Sequence, residues 1–515
     1  MNLIGGRVAV GLIVTVFSVG LPPLVRGGAP CCPQAGTVLM RSVISDAAGG
    51  FEGVLDNNDQ FGRAVASLGD VDGDGVDDLA VGAVLDDDGG ADRGAVWVLF
   101  MNSDGSVRAE QKISSTDGGF SGALDNGDRF AMSVAGLGDL DGDGVVDLAV
   151  GARGDDDGGT NRGAVWVLFL NSDGTVRGHQ KISSLFGGFT GVLRTGDGFG
   201  SSLAAMGDLD GDGRSELAVG VILYDDGGLD RGAVWVLFLN ADGTVRAEQK
   251  ISSTDGGFGG PLANGDQFGT SVAALGDVDG DGVRDLAVGA AFDDAGGTDR
   301  GAVWLLFMNA NGTVKSHRKV SGAVDSLGAL LRDGDQFGSS VARLRDLERN
   351  GFVHLAVGAI GDDDGGANRG ALWSVFLGAD GTLRGQQKIS GAAGGMDGVL
   401  ADGDGFGVAM VAMGDADGDG VQEVAVGAHL DDDGGTDRGA VWVLSMGGCA
   451  SRPGCCEGDS DGGGDVNFAD ITECLTFFGG VGSVGLVNGG DATCDCLTNF
   501  ADLTAVLTNF GFVCP

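Results

Sequence analysis

Five acidic loops of nine residues recur along the chain, and each has the composition of a binding site for a hard divalent cation. The first loop reads DVDGDGVDD, from Asp70 to Asp78. Its side chains at positions 1, 3, 5 and 9 can converge with the main-chain carbonyl of position 7, and the glycines permit a tight turn. Without a cation these carboxylates would repel one another. Crowded oxygen ligands suit Ca²⁺, whereas Mg²⁺ keeps more of its water.

The five loops predict five calcium sites, because a solvated acidic turn would explain one copy but not five copies in register. A sixth copy lacks the second glycine and offers Asp346, Glu348, Asn350 and His354, so we expect weak or no binding there. The predicted ligands of the five loops are Asp70, Asp72, Asp74, Val76 and Asp78; Asp139, Asp141, Asp143, Val145 and Asp147; Asp208, Asp210, Asp212, Arg214 and Glu216; Asp277, Asp279, Asp281, Val283 and Asp285; and Asp415, Asp417, Asp419, Val421 and Glu423.

The loops belong to a repeat of 69 residues that is copied six times without insertion or deletion. All six tryptophans are spaced 69 residues apart, and we call this series the tryptophan ladder. A phenylalanine series, the phenylalanine ladder, has the same spacing, and in all but one copy the phenylalanine is followed by glycine. A repeat of this kind indicates one supersecondary unit whose copies stack. The two ladders are Trp97, Trp166, Trp235, Trp304, Trp373 and Trp442, and Phe61, Phe130, Phe199, Phe268, Phe337 and Phe406.

Each unit is predicted to form four short β-strands. In the first unit these are FGRAVASLG (61–69), DLAVGA (78–83), GAVWVLFM (94–101) and SVRAEQKIS (106–114). The second and third are continuous apolar runs, which is typical of strands covered on both faces, and the 3.6-residue period of a helical solenoid is absent. The predicted fold class is therefore all-β, a six-bladed β-propeller of four-stranded blades.

The N-terminal strand is predicted to close the last blade. The sixth unit stops after its third strand (439–446), and the missing fourth strand is GTVLMRSVIS at residues 36–45. The propeller then spans residues 36–449. Closure would bring two N-terminal cysteines near a later group, and a disulfide there would staple the ring. The cysteines concerned are Cys31 and Cys32 with Cys449, Cys455 and Cys456, out of an odd total of nine.

The bulk composition excludes some functions and indicates an export route. A formal net charge of −43 leaves no basic surface for nucleic acid phosphates or an anionic membrane. Residues 1–29 contain Arg7 followed by a short apolar run (8–21), which predicts a cleaved secretory signal peptide, with an uncleaved anchor as the alternative. We therefore expect a secreted or cell-surface protein with disulfide bonds.

The sequences FG, DxDGDGxxDLAVGA and GAVWVLF resemble the FG-GAP repeats of integrin alpha-chain propellers and their bacterial relatives, over residues 36–449. The match departs from the family in two respects: "GAP" is never completed, as in Gly82-Ala83-Val84, and six units stand where integrins have seven. The resemblance implies a calcium-stabilised propeller used for extracellular recognition or adhesion. We expect the propeller to be monomeric and its ligand to be an extracellular protein or glycan. It does not imply an enzyme.

The C-terminal region contains a second duplication. After a Cys-rich linker (450–457), each half of residues 458–515 has an EF-hand-like loop running into an apolar helix. The pair resembles a dockerin module, which implies a cohesin-like partner and attachment to an assembly or cell surface. Gly463 and Cys496 replace expected loop residues, so up to two weaker calcium sites are predicted; a disulfide-pinned helical pair without a partner is the alternative. The predicted ligands are Asp459, Asp461, Asn467 and Asp470, and Asp491, Thr493, Asp495, Asn499 and Asp502.

A second recurrent loop joins the second and third strands of each unit and reads DDDGGADRG in the first (86–94). It lies on the face opposite the calcium loops, which would make that face anionic and suited to a basic or cation-bridged ligand. The alternative, which we prefer, is that each loop is neutralised internally, with Arg93 or Arg162 pairing with neighbouring acids.

No catalytic set is recognisable in the sequence. Four histidines fall at unrelated positions of the repeat, no Gly-x-Ser-x-Gly is present, and every pair of acids recurs with the ladder, whereas a catalytic pair usually breaks symmetry. We predict a non-catalytic, calcium-binding recognition or adhesion propeller, secreted or at the cell surface and tethered by its dockerin-like tail. The alternative is a polysaccharide-active enzyme or accessory subunit of a dockerin-bearing assembly.

Overall fold

A computed structural model describes residues 35–323, 326–347, 351–418 and 421–447. In these ranges the chain forms six antiparallel sheets of four strands each, arranged as the blades of a propeller. Each blade uses consecutive strands, except the last, in which the order is N-terminal strand, third strand, second strand, first strand. The predicted all-β propeller with four-stranded blades is therefore confirmed. No described helix is long and apolar enough to cross a membrane.

The strands are numbered in chain order. The first strands of the blades are β2 (Phe61–Gly69), β6 (Phe130–Gly138), β10 (Phe199–Gly207), β14 (Val272–Gly276), β18 (Phe337–Leu344) and β22 (Phe406–Ala412). The second strands are β3 (Asp78–Ala83), β7 (Asp147–Ala152), β11 (Glu216–Val221), β15 (Asp285–Ala290), β19 (Val353–Ala359) and β23 (Gln422–Ala428).

The third strands are β4 (Ala95–Met101), β8 (Ala164–Leu170), β12 (Ala233–Leu239), β16 (Ala302–Met308), β20 (Ala371–Leu377) and β24 (Ala440–Met446). The fourth strands are β5 (Val107–Ile113), β9 (Val176–Ile182), β13 (Val245–Ile251), β17 (Val314–Ser321), β21 (Leu383–Ser390) and β1 (Val38–Ile44). A single turn of 3₁₀ helix lies at Ser326–Ala329.

The hydrophobic core lies between neighbouring blades. Every residue of β3 and β4 is buried, because these strands are covered on both faces, whereas β5 is buried only at its ends. Between the first two blades, Phe120 stacks on Phe130 at 5.2 Å and meets Trp166 edge-on at 5.1 Å between ring centroids. The aromatic side chains of the tryptophan and phenylalanine ladders thus pack between neighbouring sheets and hold them together.

The first strands pack against one another around the axis, and this arrangement fixes the two faces of the propeller. The acidic loops join the first to the second strand on one face. The DDDGG loops, and the turns that lead into each first strand, lie on the opposite face.

The ring closes as predicted, through β1. This strand pairs antiparallel with β24, from Val38 opposite Met446 to Ile44 opposite Val441. A main-chain hydrogen bond also joins the first blade to the last, since the Phe61 N–H donates to the Arg438 carbonyl at 2.8 Å. All of the cysteines lie outside the described residues, so the disulfide staple stays a prediction.

Ala131 occupies a position where the other blades have glycine. Its φ is +68°, and the equivalent Gly200 has φ +87°. A side chain in this left-handed region costs about 1–2 kcal/mol, and glycine returns about 0.5–1 kcal/mol of that in lost entropy. We expect Ala131→Gly to raise the free energy of unfolding by about 0.5–1 kcal/mol.

The converse change, Gly200→Ala, is the matched control. Its Cβ would lie 2.6 Å from the Ala164 carbonyl oxygen, so we expect a loss larger than the gain at Ala131. Urea unfolding of both variants measures the two differences. A less stable Ala131→Gly protein would contradict the strain argument.

Candidate metal centres

In the first four blades the acidic loop is wound around the carboxylate of its first residue. In the first loop Asp70 Oδ1 accepts from the Gly73 and Asp74 N–H groups at 2.7 and 2.9 Å, and Oδ2 accepts from Gly75 at 2.8 Å. Gly73 and Gly75 have φ of +83° and +91°, which a side chain would strain. The two glycines therefore let the main chain turn tightly enough to bring the later carboxylates back towards Asp70.

The last residue of the loop is a buried acid at the start of the second strand. Asp78 accepts from the Val71 N–H at 2.9 Å and the Met101 N–H at 3.0 Å. Burial raises the pKa of Asp78 to about 6, and the pKa of Asp147 and Glu216 to about 7. A buried carboxylate whose charge is this costly is a strong ligand for a cation.

The structure brings together three of the five predicted ligands in each loop, those at positions 1, 3 and 9. One carboxylate oxygen from each lies within 4.8 Å of the others. The clusters are Asp70, Asp72 and Asp78; Asp139, Asp141 and Asp147; Asp208, Asp210 and Glu216; Asp277, Asp279 and Asp285; and Asp415, Asp417 and Glu423.

In the first four loops the other two predicted ligands bond to each other. In the first loop the Val76 N–H donates to Asp74 Oδ1 at 2.9 Å. The same bond of 2.9 Å joins Val145 to Asp143, Arg214 to Asp212 and Val283 to Asp281. Asp419 lies outside the described residues, so the fifth loop cannot be compared at this position.

A basic side chain from the fourth strand of the same blade reaches into four of the loops. Arg108 bridges Asp72 and Asp74, and Arg177 lies 2.7 Å from Asp141 and 2.6 Å from Asp143. Arg246 and Lys315 make the equivalent bridges in the third and fourth blades. These basic residues were not among the predicted site residues, although they recur at 69-residue intervals, which is a signal that the sequence contains.

These observations fit calcium. Three carboxylate oxygens converge in each loop, and the converging ligands are all oxygen atoms. In four loops one of these carboxylates, such as Asp141, already pairs with a cationic side chain. In the first loop Asp70, Asp72 and Asp78 would hold the ion. Its charge would offset the repulsion among these acids and tie the end of β2 to the start of β3.

The loop of the fifth blade has a different set of side chains from the other five loops. His354 stands where the other loops have an acid, and its Nδ1 accepts from the Leu347 N–H at 3.2 Å while its Nε2 lies 3.5 Å from Asp346 Oδ1. Burial lowers the pKa of His354, which keeps the imidazole neutral. Among the residues described in this loop no cluster of three metal-binding side chains forms; Glu348 and Asn350 lie outside them.

On the opposite face, in five of the six blades, a lysine of the fourth strand pairs with the acidic loop between the second and third strands. Lys112 lies 2.7 Å from Asp86 and 2.8 Å from Asp88, and Lys181 and Lys388 bridge the equivalent pairs. Lys250 pairs with Asp226, and Lys319 pairs with Asp293. The acids of these loops are thus neutralised within the blade, but the prediction that Arg93 or Arg162 supplies the charge is wrong, because the lysine of the fourth strand lies closer to them. Arg93 donates to Asn126 at 3.1 Å and not to a neighbouring acid.

A ring of buried aspartates on this face predicts an unusual dependence of stability on pH. Burial raises their pKa to about 6 or 7, above the unfolded value, so the folded protein binds more protons in this range. The stability that they contribute is present at low pH and is lost as the pH rises through 6 to 7. The six residues are Asp59, Asp128, Asp197, Asp266, Asp335 and Asp404.

In the presence of a chelator we expect the melting temperature to rise as the pH falls from about 8 to about 6. Buried histidines such as His354 act in the opposite sense only below about 6.5. Asp128→Asn should flatten the slope, because the amide still accepts the bond that Asp125 donates at 2.8 Å but does not titrate. A melting temperature that falls over this interval would contradict the assignment.

The comparisons with known proteins agree with the fold and the loops. Residues 61–99, 130–168, 199–237, 268–306 and 411–444 match the FG-GAP repeat family model. The matched segments contain all five acidic loops, which are those of the first four blades and of the sixth blade. Five segments of this β-propeller are therefore similar to FG-GAP repeats.

Among curated proteins, integrin alpha-PS2 of Drosophila melanogaster is 31% identical over 269 residues, which is 50% of this chain and 17% of the relative. Integrin alpha-IIb of Homo sapiens is 36% identical over 32% of this chain and 15% of the relative. The matches thus span less than a fifth of these relatives. A solved structure titled "Crystal structure of BBS1N in complex with ARL6DN, soaked with lead" is 11% identical over 80% of this chain and 97% of that chain, with a TM-score of 0.36.

The remaining predictions fall on residues 1–34 and 448–515, which lie outside the described ranges. They are the signal peptide, the seam cysteines, the linker and the dockerin-like module. The predicted ligands Asp459, Asp461, Asn467, Asp470, Asp491, Thr493, Asp495, Asn499 and Asp502 belong to this group and stay predictions.

Proposed function

We propose that this chain is a calcium-binding recognition or adhesion propeller without catalytic activity, secreted or displayed at a cell surface. Its ligand would be an extracellular protein or glycan. The monomeric propeller would present the ligand-binding surface, and the dockerin-like tail would attach it to a cohesin-like partner.

The repetition of the acidic clusters is the observation that carries this proposal. Five clusters occupy the same place in five blades, and in each one a buried acid is anchored at the start of the second strand. Five equivalent sites would stabilise a scaffold, whereas a reaction centre needs one asymmetric set of groups. The similarity to integrin alpha chains supports an extracellular recognition role for such a scaffold.

Binding to immobilised ligands tests the recognition role. The purified chain is applied to a panel of extracellular-matrix proteins and polysaccharides, with calcium and with EDTA. We expect saturable binding to one of them that is lost in EDTA. Asp285→Asn should weaken it, and Asp333→Asn, an exposed change on the other face, serves as the control. Absence of binding to the whole panel counts against the proposal.

The alternative, a polysaccharide-active enzyme or an accessory subunit of one, predicts a different result on the same panel. Reducing-sugar release from any polysaccharide, abolished by a substitution of one acid, would establish the enzyme and overturn the proposal. The buried, paired acids of the opposite face, such as Asp59 and Asp86, would be the first candidates to substitute.

A further inference from the structure

The central channel contains basic side chains other than those that pair with the acidic loops. Arg63 and Arg153 line a cavity of about 340 Å³ that is bounded by the first strands of all six blades. Among the described residues no acidic side chain lines this cavity, although the whole chain carries a net charge of −43. Arg129, just before β6, and His429, just after β23, lie at the same end of the channel.

These basic residues break the symmetry of the repeat. Arg63 occupies a ladder position that carries Ser201 in the third blade and Thr270 in the fourth. The position of Arg153 in the repeat carries Ile222 in the third blade and Ile360 in the fifth. The requirements of the blade fold are therefore met without arginine at either position, and the two arginines need another explanation.

Neither channel arginine has a carboxylate partner among the residues that the structure describes. Burial, together with the positive charges of Arg153 and Arg129, lowers the pKa of Arg63 to about 10. Burial lowers the pKa of His429 to about 3, so the imidazole is neutral, and its Nδ1 lacks a hydrogen-bond partner within the described part of the chain. Like charges held together without a counter-ion destabilise the fold, and a bound anion would remove this cost.

The surroundings of Arg153 leave room for such an anion. The next blade has glycine at position 198, where a Cβ would lie only 3.0 Å from Arg153 Nε and 3.3 Å from Ser201 Oγ. The absence of a side chain thus keeps the space beside the guanidinium open. Met132 and Leu223 add apolar surface to the same cavity.

We infer that this end of the channel binds a small organic anion with a carboxylate or sulfate group. The planar guanidinium groups of Arg63 and Arg153 would take the oxyanion, since such forks bind carboxylate and sulfate oxygens in pairs. The apolar wall would take a short hydrocarbon body, and the cavity is of the size that small ligands fill. The inference does not depend on the recognition role proposed above.

Isothermal titration calorimetry of the calcium-loaded chain with glutarate and with inorganic sulfate tests the site. We expect both to bind at one site per chain and neutral glutaramide not to bind. Arg63→Thr and Arg153→Ile install the residues of other blades, so the fold should be kept, as a melting curve will verify. Each should weaken glutarate binding at least about tenfold.

The exposed Arg384→Gln change on β21 is the matched control and should leave glutarate binding unchanged. Without an anion, Arg63→Thr should also raise the melting temperature, because it removes repulsion. Failure of glutarate to bind the wild type, equal binding of glutaramide, or unchanged binding in both folded channel variants would overturn the inference. Binding of sulfate alone would overturn the assignment of an organic ligand.

Discussion

Removal of calcium is expected to lower the melting temperature of the propeller by about 10–15 °C. A site stabilises the folded state by about 2.7 kcal/mol when calcium is at about a hundred times its dissociation constant. Five sites then contribute about 13 kcal/mol, and the entropy of unfolding of a propeller of this size converts this into the stated shift. Differential scanning calorimetry with calcium and with EDTA measures it.

The effect of one substitution on stability should have opposite signs in EDTA and in calcium. Asp147→Asn keeps the shape of the side chain and the bond from the Leu140 N–H at 2.9 Å, but removes a buried charge. In EDTA we expect the variant to be as stable as the wild type or more stable. With calcium we expect it to be less stable by about 2–3 kcal/mol, the contribution of one site.

The fifth blade offers the control for this experiment. Asp346→Asn changes a loop in which His354 replaces the buried acid, so it should alter the calcium-dependent shift much less than Asp147→Asn does. Equilibrium dialysis should count one ion fewer for Asp147→Asn and an unchanged number for Asp346→Asn. A melting temperature that does not respond to EDTA would show that the clusters do not bind calcium.

The second large effect is expected at the seam of the ring. Ile44 of β1 and Ile182 of β9 occupy the same position of the repeat, and both are fully buried. Replacing either by aspartate buries a charge and should cost more than about 4 kcal/mol. The consequences should differ, because β9 continues into chain on both sides, whereas β1 is joined to the propeller only through its C-terminal end.

In Ile44→Asp we expect β1 to detach and expose the edge of β24, which can then pair with the β1 or the edge of another molecule. Light scattering after gel filtration should show dimers or larger species that increase with concentration. Ile182→Asp should instead lower the melting temperature without concentration dependence. A monomeric Ile44→Asp protein that melts like the wild type would mean that β1 does not hold the ring closed.

Much of the fold could be predicted because the sequence contains six copies of one blade, and the copies show the same pattern of strands and turns. The bounds 61–69 and 78–83 agree with β2 and β3, and the missing fourth strand of the last blade identified β1. The loop ligands at positions 1, 3 and 9 could also be predicted from the sequence, since their spacing and the glycines determine the turn.

The contacts between distant parts of the sequence could not be predicted in the same way. Arg108 meets Asp72 only because the fourth strand returns past the loop, and Lys112, not Arg93, neutralises Asp86 because β5 lies beside that loop. The arginines of the channel come from different blades, so only the closed ring brings Arg63 and Arg153 to one cavity.

The closure through β1 also has a consequence for the order of events during synthesis. Residues 38–44 leave the ribosome before the other strands of the propeller, but their partner β24 follows about 400 residues later, which at about 5–20 residues per second is a delay of about 20–80 s. During this interval VLMRSVI is an unpaired strand with apolar side chains, including Leu39 and Met40. Completion of the ring is therefore a late step, and the nascent chain must keep this segment from pairing with other chains until its last blade has formed.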